Sequence, residues 1–179
     1  AITFSPSFEL SVYGEYIAHI STTTQISLGF RGVGYAYKDL INFYPEPRLH
    51  YTQQLDDKSA VKFGYSRHHQ FTRLLNVGGT GNPQNFWVPA TDQIRPQSSD
   101  ILEASYERKL GREYSLSSSA YFKRLNNIHL VDNFFAAIDV ENDWQQQILQ
   151  GNGTAYGLEM TFQKNKGILS GWLSYTFSI

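Results

Sequence analysis

The sequence predicts an all-β fold, the wall of an antiparallel transmembrane β-barrel of about eight strands, and three observations predict it. Apolar and polar residues alternate with period two over long runs. Aromatic residues make up 15% of the chain, with 12 Tyr and 12 Phe beside many Ser, Thr and Gly. Such a composition favours strands and turns over helices. Short polar turns also alternate with longer links, the arrangement of outer-membrane barrels.

The first run is the clearest. From 7 to 20, Phe8, Leu10, Val12, Gly14, Tyr16, Ala18 and Ile20 oppose Glu9, Ser11, Tyr13, Glu15, Ile17 and His19. After Ser21-Thr22-Thr23 the pattern resumes over 24–37, with Ile26, Leu28 and Phe30 opposite Gln25, Ser27 and Arg31. Strands are expected next at 47–55 and 60–69 around the turn Asp56-Asp57-Lys58-Ser59. Another pair is expected at 99–109 and 113–127 around Leu110-Gly111-Arg112-Glu113. The last pair is 154–163 and 168–179 around Lys164-Asn165-Lys166-Gly167. There Tyr156, Leu158, Met160 and Phe162 share one face, as do Leu173, Tyr175 and Phe177. Longer links are expected at 38–46, 70–98 and 128–153. Tyr106, Tyr114 and Phe162 flank the short turns, where an interfacial aromatic girdle belongs.

Runs such as 7–20 and 113–127 exceed the roughly 5–6 residues of an ordinary strand, which argues against a soluble β-sandwich. They also exceed the roughly 9–11 residues a membrane strand needs, so some strands should project beyond the bilayer. A mean hydropathy of −0.39 is compatible with this, because barrel strands alternate. No stretch approaches 18 apolar residues, which excludes a transmembrane helix.

The absence of cysteine excludes disulfides, thiolate metal sites and a Cys nucleophile. A net charge of −1 gives no footprint for nucleic acid. The start, Ala-Ile-Thr-Phe-Ser-Pro, carries no signal peptide, as expected of a mature chain or a piece of one.

Ordered motifs add a resemblance. Tyr65-Ser66-Arg67, Phe86-Trp87-Val88-Pro89 and Arg95-Pro96-Gln97 are followed by Gly151-Asn152-Gly153-Thr154-Ala155-Tyr156-Gly157-Leu158-Glu159 and Gly171-Trp172-Leu173-Ser174-Tyr175-Thr176-Phe177-Ser178. With Tyr44-Pro45-Glu46-Pro47-Arg48, they resemble the barrel of TonB-dependent receptors of the Bacteroidetes type, from about Ile26 onward. The resemblance implies that residues 1–179 are an internal portion of a barrel usually of 22 strands. The plug and the remaining strands are absent from it. It further implies a bacterial outer-membrane receptor that imports a metal chelate, cobalamin or a glycan. Its partners would be outer-membrane lipid, its own plug, the TonB complex and a surface lipoprotein. The alternatives are a complete eight-stranded outer-membrane barrel acting as an anchor or adhesin, with 7–20 paired to 168–179, and a soluble carbohydrate-binding sandwich.

No catalytic constellation, cofactor or metal site is expected. Adjacent His68 and His69 point to opposite faces and cannot chelate one ion. Gly151-Asn152-Gly153-Thr154 lacks the helix a phosphate loop requires. By parity, Glu9, Glu15, Arg31, Lys62, His68, Glu103, Glu107, Lys123 and Glu159 should line a polar lumen, the carboxylates bonding to Arg31, Lys62 or Lys123. Gly157 should relieve crowding on that face. Ligand contact is assigned to the loop aromatics Phe86, Trp87, Phe134, Phe135 and Trp144. For Trp87, packing of the loop against its own base is the competing expectation.

Overall fold

A computed structural model describes residues 6–77, 84–131 and 144–179, with the side chains at 75–77, 84–86, 131, 144 and 147 outside the description. Its strands are β1 (Ser7–His19), β2 (Thr24–Tyr37), β3 (Leu40–Asp56), β4 (Ser59–Gln70), β5 (Thr72–Val77), β6 (Gln84–Pro89), β7 (Gln97–Leu110), β8 (Tyr114–Val131), β9 (Ile148–Lys164) and β10 (Gly171–Ser178). Eight of them form one antiparallel sheet in the order β1-β2-β3-β4-β7-β8-β9-β10, while β5 and β6 pair as a separate hairpin. The fold is therefore the expected eight-stranded meander.

β1 and β2 match expectation to within a residue because their alternation is unbroken. Elsewhere four corrections are needed. β3 begins at Leu40 rather than 47, so the expected long link at 38–46 is a two-residue turn, Lys38-Asp39. Lys38 takes the left-handed conformation there (φ 52°). Pro45 reads as a loop residue and Pro47 as the first residue of a strand, yet both sit inside β3, opposite Gly32 and Phe30 of β2. Proline has no N–H to donate, and the ladder to β4 begins only at Arg48↔Ser66. Second, the link over 70–98 contains the β5–β6 hairpin, whose six-residue strands are too short to show a period. Third, β8 and β9 run further than expected, to Val131 and from Ile148, past an irregularity between Leu125 and Ile128. β10 in turn starts at Gly171, three residues later than expected.

Among the described residues β1 pairs with β2 alone and β10 with β9 alone. The pairing of 7–20 with 168–179 that a closed eight-stranded barrel requires is not made. Nor, among the described residues, does a second large sheet pack face to face with the first, as a sandwich requires.

Directly opposed residues share a face, so register propagates one polar and one apolar face across the sheet. The apolar face carries rows such as Tyr16↔Leu28↔Leu49↔Tyr65↔Leu102↔Phe122↔Tyr156. Its large side chains stand exposed, Leu10, Phe43, Phe63 and Leu173 among them. The buried core instead gathers where the chain after β4 folds back. Val33 and Tyr35 of β2 meet Phe71 and Ala90, and Val88, Ile94 and Ile148 form a second cluster.

Candidate functional site

All nine residues expected to line a lumen fall on the polar face. Glu9, Glu15, Arg31, Lys62, Glu103, Glu107, Lys123 and Glu159 follow one another through the strand registers, and His68 joins them opposite Ser99. A groove of about 420 Å³ opens on this face, lined by His50, Lys62, Glu103, Glu107, Tyr121 and Glu159. The expected charge pairs form in part. Lys62 Nζ lies 2.6 Å from Glu107 Oε1, and Arg31 Nη2 lies 3.0 Å from Glu9 Oε1. Ser27 Oγ donates to Glu15 Oε1. Glu103, Glu159 and Lys123 make no ion pair among the described residues. Among the described residues no three His, Asp or Glu side chains are placed to hold a metal ion.

One polar-face cluster was not foreseen. Glu46, between the two prolines, is 0% exposed. Its Oε1 accepts the His69 backbone N–H at 2.6 Å, and Oε2 lies 3.4 Å from Arg31 Nη1. The carboxylate thus gives the His69 N–H an acceptor beyond Arg48↔Ser66, where the β3–β4 ladder makes no further pairs. His69 Nδ1 is also 3.4 Å from Oε1, in a geometry that makes no hydrogen bond. Tyr44 and Phe71 cover the cluster, with ring centroids 5.1 Å and 6.2 Å from the His69 imidazole. Its one sequence signal was the odd placement of a Glu between prolines.

Above it runs a strap, Ala90–Pro96. At one end Tyr35 Oη donates to the Ala90 carbonyl at 2.9 Å, and the Tyr35 ring stacks on Phe71 at 4.7 Å. Toward β8 and β9 the strap is pinned by Gln150 Nε2 to Gln93 O (2.9 Å) and Asn127 Nδ2 to Pro96 O (3.1 Å). Gln150 Oε1 accepts from the Arg95 backbone N–H. His129, only 4% exposed, places Nε2 2.9 Å from Arg95 O.

Burial holds the His129 imidazole below its ordinary pKa, against the opposing pull of the Arg95 carbonyl, with Arg73 reinforcing the depression. A depressed pKa means the unfolded chain takes up the proton first. Stability is therefore complete above about pH 6.5 and lost as pH falls through the folded-state value. Hydrogen exchange at 90–96, corrected for intrinsic rates, should accelerate below pH 6.5. His129→Gln should flatten that pH response; an equal acceleration in the variant would refute it.

The hairpin displays one of the aromatic candidates, Trp87. Trp87 is 68% exposed and stands opposite Leu74, 41% exposed. It does not pack the loop against its base; Val88 and Ile94, on the buried side, do that. Phe86 lies in β6 and Trp144 in a 3-10 turn (Trp144–Gln147), with side chains outside the description. Phe134 and Phe135 lie outside the described residues.

No family model matches the chain, and no curated protein matches it. Among solved structures it is similar to the crystal structure of the siderophore receptor PirA from Pseudomonas aeruginosa, with a TM-score of 0.74 at 16% identity. The match covers 97% of this chain and 34% of that one. The chain thus spans about a third of the length of that receptor, and at such identity the likeness establishes the fold alone: a section of an antiparallel β-barrel.

Proposed function

We propose that this chain forms part of the barrel wall of a TonB-dependent outer-membrane receptor that imports a scarce nutrient. The observation that carries the proposal is the slope of the apolar band. In β9 its upper edge is Tyr156, whose row runs through Phe122, Leu102, Tyr65, Leu49 and Leu28 to Tyr16 in β1. In β1, however, the band continues eight residues higher, to Phe8. Eight residues rise about 26 Å, and six strand steps cover about 29 Å, so the edge slopes at about 40°. Strands tilted by about 35–45° in a flat bilayer give that slope. A soluble sheet has no reason to hold it.

The polar face then lines the lumen, beside a plug and the further strands of a 22-stranded barrel. Residues 1–179 form one partial barrel domain on this reading, with TonB and a surface lipoprotein as further partners. The ordered motifs support the Bacteroidetes type. Of metal chelate, cobalamin and glycan, the likeness to a siderophore receptor favours a metal chelate. Trp87, exposed beside Leu74 on a backed hairpin, supplies a rigid apolar platform for a planar or ring-bearing ligand.

The test uses the full-length protein in its own outer membrane. A plug-encoding segment should precede this chain in its gene, and uptake should require TonB. Trp87→Ala should weaken ligand binding by about tenfold, the ordinary effect of losing an aromatic anchor, and leave barrel stability unchanged. Uptake independent of TonB would overturn the reading, and unaltered affinity in Trp87→Ala would remove the assigned platform.

A further inference from the structure

The apolar face ends in a row of charge. One residue pair beyond Tyr65↔Leu102↔Phe122↔Tyr156, register aligns Arg67↔Asp100↔Arg124↔Thr154. Asp100 is already satisfied from one side. Its Oδ1 accepts from Tyr65 Oη at 2.8 Å, its Oδ2 from Arg67 Nη2 at 3.2 Å, and Arg67 Nε lies 3.1 Å from Oδ1. Arg124 stands exposed on the next strand and makes no ion pair among the described residues. Two guanidinium groups and one carboxylate leave the row with one positive charge in excess.

Position decides what that charge meets. Arginine on a lipid-facing surface costs about 2–4 kcal/mol at the bilayer midplane and about 0–1 near the interface. The row lies directly above the last aromatic residues of the band, at the end of β7–β9 that leads into the longer connections. That end is extracellular in such barrels. The groups available at that depth are lipid headgroups, and a guanidinium is matched in geometry by phosphate oxygens.

We propose that Arg124, with the Asp100-bound Arg67 and the Thr154 hydroxyl beside it, binds a phosphate of an outer-leaflet phosphoglycolipid. The site faces away from the lumen and takes no part in ligand capture. Asp100 acts as a spacer, orienting Arg67 and preventing two free guanidinium groups from repelling each other. The proposal rests on the membrane reading above.

Native mass spectrometry of the full-length protein in detergent tests it. The protein is titrated with diphosphoryl lipid A, with the same lipid stripped of phosphate, and with inorganic phosphate. Diphosphoryl lipid A should bind the unaltered protein, and Arg124→Gln should weaken that binding by about tenfold, the effect of losing a charged hydrogen bond. Arg124→Lys should recover part of it. The stripped lipid should bind both proteins equally and weakly. Equal lipid A binding by Arg124→Gln and the unaltered protein overturns the site. Displacement of lipid A by similar concentrations of inorganic phosphate overturns the lipid as its source. A protein that stays monodisperse without detergent overturns the membrane reading along with it, whereas the first two outcomes leave that reading standing.

Discussion

Gly157→Ala should destabilise the β8–β9–β10 part of the wall by about 3 kcal/mol, at the upper end of ordinary overpacking. Gly157 sits on the polar face between Tyr121 of β8 and Ser178 of β10. A Cβ built there would lie 2.6 Å from the Phe177 carbonyl oxygen and 2.7 and 2.8 Å from two carbons of the Tyr121 ring. A ring alone could rotate aside. The carbonyl belongs to the neighbouring strand's backbone and can move only by opening the β9–β10 ladder. Gly151 is the control, because a Cβ there meets nothing within 4 Å. Gly151→Ala should fall within about 0.5 kcal/mol of the unaltered protein. The measurement is the thermal midpoint at which the full-length protein loses its folded electrophoretic mobility in SDS. Tyr121→Ala introduced with Gly157→Ala should recover only part of the loss, since the carbonyl contact remains. Equal midpoints for Gly157→Ala and Gly151→Ala would refute the close approach.

Gly157 was legible in the sequence for the same reason that most of the sheet was. A period of two is a rigid rule: once Leu158 is assigned to the apolar face, Gly157 and Glu159 must share the other. The same rule puts nine charged or imidazole side chains on one face from the sequence alone. The rule fails where a local signal competes with it. Pro45 suggested a loop and Pro47 the start of a strand, although a strand interior tolerates proline when the missing N–H falls on a side with no ladder to feed. β5 and β6 were missed because six residues give three alternations at most. Trp87 illustrates the other limit. Parity within a hairpin tells which residues share a face, but which face meets water depends on Val88 finding Ile94 and Ile148. Those contacts join segments far apart in sequence, and no local pattern encodes them.

The Glu46 cluster is the strongest case of such non-local dependence, and Glu46→Ala is expected to cost about 3 kcal/mol, the lower end for breaking a buried ion pair. Glu46 is fully buried and holds three groups at once: the His69 N–H, Arg31 and the edge of the His69 ring. Removing it takes the acceptor from the His69 backbone N–H, which lies beyond the last β3–β4 pair at Arg48↔Ser66. It also leaves Arg31 with Glu9 alone, at 3.0 Å on a more exposed part of the face. Glu46→Gln should cost less, because an amide oxygen still accepts from His69 while the charge facing Arg31 is gone. Arg31→Ala should destabilise as well, by stranding the Glu46 carboxylate beside a backbone N–H. The double variant should then lose less than the sum of the two single losses, since neither residue is left with an unpaired partner. Additive losses would mean that Arg31 and Glu46 act separately at their 3.4 Å spacing. A midpoint for Glu46→Ala within about 0.5 kcal/mol of the unaltered protein would show that the carboxylate holds nothing together. The same variants should loosen Phe71, whose ring packs on Tyr35 and Tyr44 above the carboxylate. Faster exchange of the 71–77 and 84–96 amides in Glu46→Ala, at unchanged exchange in β9, would then place the lesion at the strap and leave the wall intact.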